Sequence, residues 1–265
     1  MFDKDAMVAA LKTRWLGRQC HVHDSLESTN TEARRLAEQG AAHGVVVIAD
    51  EQRAGKGRLG RRWQSPAGCN LYFSSLLRPT VEPQHAPLYS LATAVGLADA
   101  LGPLITRGEL RLKWPNDVLI DEGKLCGVLI ELKMNKAAIA SLVVGVGINV
   151  NCDPARDLGQ ELSGSATSLI GNRGQALERR DVLLACLEQL ERRYDQLANG
   201  ERAAVVAAFS ERACYLGEPV MIAAVDGERR GVAKAFDADG ALLLQDEAGD
   251  VSRVLAGDLH RLRPL

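Results

Sequence analysis

Between Glu109 and Asn151 the chain lays down strand-like segments at hairpin distance from one another, and this is the feature that most restricts its fold. Glu109 to Trp114 alternates polar and apolar residues as a half-buried strand does. Asp117 to Ile120 follows, then a turn at Asp121-Glu122-Gly123, then Lys124 to Lys133, a turn near Asn135, and Ser141 to Asn151. Parallel strands need crossovers of a dozen residues or more, so links this short make an antiparallel meander. That meander argues against a nucleotide-binding parallel sheet.

The same argument governs the stretch from Asp50 to Trp63, DEQRAGKGRLGRRW, where Gly55-x-Gly57-x-x-Gly60 matches the dinucleotide fingerprint letter for letter. A fingerprint follows its strand directly, opens an amphipathic helix and has an acid about 20 residues on. Here a polar loop intervenes after the strand Val45 to Ala49, the glycines lead into Arg61-Arg62-Trp63-Gln64-Ser65-Pro66, and the next acid is Glu82. From Gln52 to Val81 there are six basic residues and no acidic one, in a chain whose formal net charge is only -2. Glycines that let the backbone approach a ligand, interleaved with Lys56, Arg58, Arg61 and Arg62, describe a loop for phosphate or carboxylate. The plainer alternative is a solvated basic surface loop.

The remaining elements are read in the same way. Residues 1 to 20 form a short helical lead-in, and His21-Val22-His23-Asp24 an edge strand whose histidines lack a third metal ligand nearby. Leu26 to Gly40 opens with a Thr29–Glu32 capping box and ends on a C-cap glycine, so a helix is expected from about Asn30 to Gln39. Ser28, Thr29 and Asn30 at its start either cap the helix or face a ligand, and capping is the favoured reading. Asn70 to Arg78 is a strand and Ala86 to Leu101 a long apolar helix over the sheet. Arg179 to Ala198 carries a clean helical stripe closed by Gly200, and a second helix spans about Glu201 to Ala213. Beyond a boundary near Tyr215 the texture becomes short β segments split by Asp226-Gly227, Asp239-Gly240 and Gly249-Asp250, the hairpin signals of a small barrel.

At 265 residues, 46% hydrophobic and 25% charged, the chain has enough apolar material for one large core with a small satellite. Neither nucleic acid nor membrane is indicated by the overall charge. No 18-residue apolar run and no export signal are present, and the six cysteines lie apart without a C-x-x-C pair, so a reducing cytoplasm fits.

Three apolar segments carry residues that are expensive to place there: Lys113-Trp114-Pro115-Asn116-Asp117, Lys124-Leu125-Cys126-Gly127, and Gly145-Val146-Gly147-Ile148-Asn149. Each has a plain reading too: a common turn triplet, a solvated lysine at a strand start, and two strand glycines at a tight crossing. Taken with SLESTN, QRAGKGRLGRRWQSP, KWPNDVLI, GKLCGVLIEL, VGVGINVN and ATSL, in that order, the chain resembles the biotin protein ligases, also called biotin-[acetyl-CoA-carboxylase] ligases, over about residues 22 to 262.

That resemblance implies an α+β fold: a mixed, largely antiparallel sheet covered by helices, as in class II synthetases, over residues 1–214, and a Src-homology-3-like small β-barrel over residues 215–265. It implies ATP-dependent activation of biotin to biotinyl-5'-AMP and transfer to a lysine of the biotin carboxyl carrier protein of acetyl-CoA carboxylase. Ser28, Thr29, Asn30 and Gln52 are expected at biotin's ureido end, with Lys56, Gly57, Arg58 and Lys124 also touching biotin. Gly55, Arg61, Trp63, Lys113, Asn116, Asp117, Gly127 and Asn149 are expected on the ATP side. Lys124, Arg58 and Asp117 carry the chemistry, and Mg2+ enters on the ATP phosphates, since no carboxylate cage is evident.

Where bifunctional relatives have an N-terminal DNA-binding module this chain has about twenty residues, so a monofunctional form without DNA binding is expected. Lys56 stands where many relatives have arginine, and the 152 to 175 loop offers no obvious aromatic to stack on adenine. Ser141 to Asn151, if exposed, can pair across a two-fold axis into a homodimer, and it can equally be covered. A lipoate or octanoate ligase, a non-enzymatic biotin sensor and a generic phosphate-binding module are the competing readings.

Overall fold

The computed structural model describes residues 2–159, 162, 164–224 and 227–262. After α1 (Lys4–Ala10), β1 (Cys20–Leu26) runs parallel to β2 (Val46–Gln52), with α2 (Thr29–Glu38) as the crossover between them. Next come β3 (Leu71–Leu77), α3 (Leu88–Leu101) and the expected meander: β4 (Leu110–Lys113), β5 (Asp117–Ile120), β6 (Gly123–Asn135) and β7 (Ala138–Ile148). The seven-stranded sheet is ordered β1-β2-β3-β7-β6-β5-β4, antiparallel except at β1/β2. It is therefore mixed and largely antiparallel. The one parallel pair ends in the basic loop, which makes only a single 3-10 turn at Arg58–Gly60 and opens no α-helix.

β7 lies between β3 and β6 and is hydrogen-bonded on both sides. Of the two alternatives for Ser141 to Asn151, an exposed edge and a covered strand, the second therefore holds. A strand that is apolar on successive residues has both faces covered, and that places it in the middle of a sheet.

Side chains alternate across the sheet and divide it into two faces. Val46 and Ile48 of β2, Leu71 and Phe73 of β3, and Val144, Val146 and Ile148 of β7 join the large core beneath α3 and α5 (Arg179–Ala198). Val47, Leu76 and Val143 face the other way and pack against Ala33 and Leu36 of α2 in a smaller cluster. On that second face, at and beyond the first turn of α2, the sheet carries Ser74, Gly127, Gly145 and Gly147 in place of large side chains. A hollow is left there.

After α4 (Leu169–Arg173) and α5, α6 spans Arg202–Ser210, shorter than the expected helix because residues 212–214 turn back to hydrogen-bond Leu112 on β4. A small antiparallel sheet follows: β8 (Pro219–Ala224), β9 (Gly227–Phe236), β10 (Leu242–Gln245), β11 (Val251–Val254) and β12 (Asp258–Arg261), ordered β11-β10-β9-β8-β12. Gly240 and Gly249 take positive φ in two of the expected hairpin turns. Asp226, in the third, lies outside the described residues. The Trp114 indole donates to the Gly240 carbonyl at 3.0 Å and ties this sheet to the larger one.

Candidate active site

The hollow is a cavity of roughly 270 Å3 bounded by α2, the loop after β2, the β5–β6 hairpin and the segment after β7. Its floor explains the glycines. A Cβ on Gly145 would lie 2.0 Å from the Asn30 side-chain oxygen, and one on Gly147 would lie 2.4 Å from the Trp63 indole. Trp63 also lies over Gly127, which pairs with Gly147 across the β6–β7 ladder. Only glycine permits the indole this close to the strands.

One end of the cavity is polar and uncharged. The expected capping box is not formed: Ser28 is the N-cap residue but makes no side-chain cap, and Glu32 is engaged by Arg35. The cap comes instead from Gln52 on β2, whose Oε1 accepts from the Thr29 amide at 2.9 Å and the Thr29 hydroxyl at 3.1 Å. Gln52 Nε2 donates to the Ser65 hydroxyl at 2.9 Å. A side chain from a neighbouring strand satisfies the first amide of the helix, and the Thr29 hydroxyl is held between Gln52 and Ser74, which donates to it at 2.7 Å, so it is the Ser28 hydroxyl, without a partner among the described residues, that is left to the cavity.

Asn30 is held from behind. Its Nδ2 donates to Glu131 at 2.8 Å and to the Leu129 carbonyl at 3.3 Å, and its Oδ1 accepts from Ser74 at 2.6 Å. Both ends of its amide are therefore engaged inside the protein, and its part in the wall is to fix the geometry of its neighbours.

The other end is cationic. Lys124 Nζ lies 2.8 Å from an Asp117 carboxylate oxygen and 5.4 Å from the Trp63 ring centroid, where the ring quadrupole favours positive charge. Arg58 Nη1 donates to Asn116 Oδ1 at 3.0 Å, to the Gly257 carbonyl at 3.2 Å and to Asp258 at 3.3 Å. Arg61 pairs with the same Asp258 carboxylate. Burial pulls the Arg58 guanidinium below its ordinary value, and the charges of Asp258 and Asp117 act against that pull. It remains a cation at any physiological pH.

The loop that carries these arginines closes on itself. Gly57 N donates to Arg61 O at 2.8 Å and Trp63 N to Gly55 O at 3.0 Å, while Leu59 and Gly60 turn the tip with positive φ. Lys56 Nζ donates to the Thr31 hydroxyl at 2.9 Å, so the lysine bridges the loop to α2.

Asn149 closes the far wall. Its Nδ2 donates to the Thr167 carbonyl at 3.0 Å, and its buried Oδ1 has no partner among the described residues, which leaves an acceptor for an incoming N–H.

Of the expected residues, Ser28, Thr29, Asn30, Gln52, Lys56, Gly57, Arg58, Arg61, Trp63, Asn116, Asp117, Lys124, Gly127 and Asn149 all meet at this cavity. Gly55 and Lys113 do not line it. Gly55 instead sits where a Cβ would meet the Trp63 carbonyl at 2.4 Å, so it supports the loop from behind. Residues 160, 161 and 163 of the 152 to 175 loop lie outside the described residues.

Sequence reasoning missed Asp258, which reaches the arginines from a different sheet, and Leu158, Leu162 and Ser165, which close the cavity beside Lys124. The ATSL match is the one signal that pointed there: Thr167 N donates to Lys124 O at 3.0 Å and Leu169 N to Asn149 O at 3.0 Å.

Residues 22–149 match the profile of the biotin/lipoate A/B protein ligase family. The chain is 34% identical over 224 residues to a biotin–[acetyl-CoA-carboxylase] ligase of Paracoccus denitrificans, covering 84% of this chain and 92% of that one. It is 36% identical over 251 residues to the Mycobacterium tuberculosis protein of the same name, covering 93% and 90%. Among solved structures, the biotin protein ligase of Aquifex aeolicus in complex with biotin and ATP superposes with a TM-score of 0.78 at 30% identity, covering 93% of this chain and 100% of that one.

Proposed function

We propose, from the premise that this chain belongs to the biotin protein ligases of the biotin/lipoate A/B protein ligase family, that its cavity joins biotin to ATP and then hands biotin to a protein lysine. The observation that carries this reading is the meeting, in one cavity, of an uncharged hydrogen-bonding end at Ser28 and Thr29 with a cationic end at Lys124 and Arg58.

A carboxylate is a poor acylating agent, so it is first activated. The biotin carboxylate attacks the α-phosphorus of ATP, the bond to pyrophosphate breaks, and biotinyl-5'-AMP forms. Two anions must come together for this. Lys124 Nζ is the group to sit between carboxylate and α-phosphate, and Arg58 turns its remaining guanidinium edge to the adenylate phosphate. In the second step the lysine nitrogen bonds to the biotinyl carbonyl carbon, AMP leaves with the electron pair, and the amine loses a proton. Asp117, 2.8 Å from Lys124, is close enough to the reacting end to orient or deprotonate that amine.

At the other end the hydroxyls of Ser28 and Thr29 meet the ureido group, while Gln52 and Asn30 hold them in place. A buried polar group of the site left unpaired costs about 1–3 kcal/mol, so the same end disfavours octanoate and lipoate, whose tails offer it no partner. Asn149 Oδ1 suits a donor such as the exocyclic amine of adenine, and Trp63, Gly127, Asn116 and Arg61 complete the nucleotide side. Among the described residues no cluster of three or more acids, histidines or cysteines would hold a metal, and Asp117 and Asp258 are each paired with cations. Mg2+ is therefore read as the counter-ion of the ATP phosphates.

The wider reading follows. Residues 1–214 are the catalytic domain, and 215–265 a small barrel of the Src-homology-3 kind. The acceptor is the biotin carboxyl carrier protein of acetyl-CoA carboxylase, and the setting is cytoplasmic. Free cysteines support that setting, and no helix among the described residues is long and apolar enough to cross a membrane.

The test is mass spectrometry of the products formed with Mg-ATP and biotin, octanoate or lipoate in parallel. Biotinyl-adenylate from biotin alone is expected. Adenylate from the fatty acids instead, or from none of the three, would overturn the reading.

A further inference from the structure

Asn30 stands over β7 where Gly145 leaves room for it, with β3 on one side and β6 on the other. Its amide reaches both neighbours. Oδ1 meets Ser74 of β3 at 2.6 Å, and Nδ2 meets Glu131 of β6 at 2.8 Å and the Leu129 carbonyl at 3.3 Å. A carboxylate and a carbonyl can only accept, so the nitrogen must face β6 and the oxygen Ser74. Glu131 itself does not line the cavity, and its other oxygen takes Arg34 at 3.2 Å.

This orientation decides a proton count. Four buried oxygens run in a row, Asn30 Oδ1, Ser74 Oγ, Thr29 Oγ1 and Gln52 Oε1, at successive separations of 2.6, 2.7 and 3.1 Å. Gln52 is fixed as firmly as Asn30, with Oε1 on the Thr29 amide and Nε2 on Ser65. Both ends of the row are therefore pure acceptors. The hydroxyl protons of Ser74 and Thr29 are two, the contacts they serve are three, and the row is one proton short. Thr29 has no proton to spare for the cavity. What it turns there is a lone pair.

From this geometry we propose that Glu131 is a specificity-determining positioning residue: through Asn30 and Ser74 it holds Thr29 as a hydrogen-bond acceptor, so that the ligand atom met by Thr29 must carry an N–H. The proposal rests on the ligase reading above and deepens it by fixing the polarity of one contact with the ureido ring. A ligand N–H at Thr29 relieves the shortage. A ring oxygen there sets acceptor against acceptor, and the site rejects it.

The carboxylate matters because an amide can turn over. A turned Asn30 would donate Nδ2 to Ser74, supply the missing proton and free the Thr29 hydroxyl to point either way. Beside Glu131 that turn places Oδ1 against a negative oxygen in a buried, weakly screened setting. Beside a glutamine it does not, because the new amide can offer its own N–H.

Glu131→Gln tests this in the full-length protein, with Arg34→Ala as the control that keeps the Glu131–Asn30 hydrogen bond. The probes are biotin and the two cyclic carbamates in which one or the other ring N–H is replaced by oxygen. Calorimetry should show the parent binding biotin about tenfold or more tightly than the carbamate that lacks the N–H facing Thr29. Glu131→Gln should weaken biotin about fivefold and leave that carbamate within about twofold, so that the preference shrinks; KM for ATP and kcat for pyrophosphate release should stay within about twofold. In a Thr29→Val background the same substitution should change biotin affinity by less than about twofold, since its effect passes through that hydroxyl.

Unchanged biotin affinity in Glu131→Gln overturns the proposal. So does an equal loss for biotin and both carbamates, an additive loss on Thr29→Val, or an Arg34→Ala variant that loses as much as Glu131→Gln, since each would make Glu131 a support of the fold and no more. A parent protein that neither binds biotin nor makes its adenylate would contradict the ligase reading itself, a result distinct from any of these.

Discussion

The two ends of the catalytic cavity are built on different physics. At the uncharged end, Thr29, Gln52, Ser65, Asn30 and Ser74 form a buried network, backed by the Glu131 carboxylate and carried by a helix start, the loop after β2 and strands β2, β3 and β6, in which nearly every partner is another fixed side chain. At the cationic end, Arg58 and Arg61 sit on a loop, and their carboxylate partner, Asp258, belongs to the small C-terminal sheet. The first end can reject a ligand by leaving a buried group unpaired. The second attracts anions over a distance and is open to salt. A ligase for a neutral ring system and a polyanion needs both.

The largest expected effect separates the two ends at once. Lys124→Ala should slow adenylate formation by about 10^2- to 10^3-fold, read as pyrophosphate release, with circular dichroism and biotin's ureido contacts unchanged. A near-normal rate would remove Lys124 from the chemistry.

Gly145→Ala probes the rigid end. Its Cβ would lie 2.0 Å from Asn30 Oδ1, inside a network that has no slack. Overpacking of this kind should lower unfolding stability by up to about 3 kcal/mol and weaken biotin binding. A fully stable variant with normal KM for biotin would show that Asn30 does not set the geometry of that wall.

Thr29→Val removes one hydroxyl and keeps the shape. Biotin affinity should fall by about 1 to 2 kcal/mol, roughly five- to thirtyfold, with KM for ATP unmoved. Equal losses for both substrates would erase the contrast between the ends.

The smallest effect belongs to Asp258→Asn. It leaves Arg58 with Asn116 and the Gly257 carbonyl, so a change of no more than about 1 kcal/mol is expected in ATP binding, shrinking further at high salt. A large loss would mean that the C-terminal sheet holds the loop in place.

Much of this was legible in the chain. Arg179–Ala198 follows from its stripe of leucines and Gly200, and the meander from hairpin distances, because both signals are local. Most of the cavity wall was legible too, through ordered motifs. The glycines of Gly145-Val146-Gly147 are both things the sequence allowed: a tight crossing, and the floor of a site. Two features were out of reach for a physical reason. Gln52 replaces the capping box only because β2 lies beside α2 in space, a tertiary contact that outweighs the local Thr29–Glu32 pattern. Asp258 lies 200 residues from Arg58, and nothing in an isolated Gly-Asp-Leu says which cation it will face.

Calorimetry with one uncharged and one charged ligand tests the central claim most directly. Biotin methyl ester, which keeps the ureido ring and loses the carboxylate charge, is titrated into the protein at low and high salt beside a non-hydrolysable ATP analogue with Mg2+. The account predicts that the ester's Kd stays within about twofold while the analogue's weakens about tenfold or more as the screening length shortens from roughly 30 Å to 3 Å. Equal salt dependence for the two ligands would contradict it.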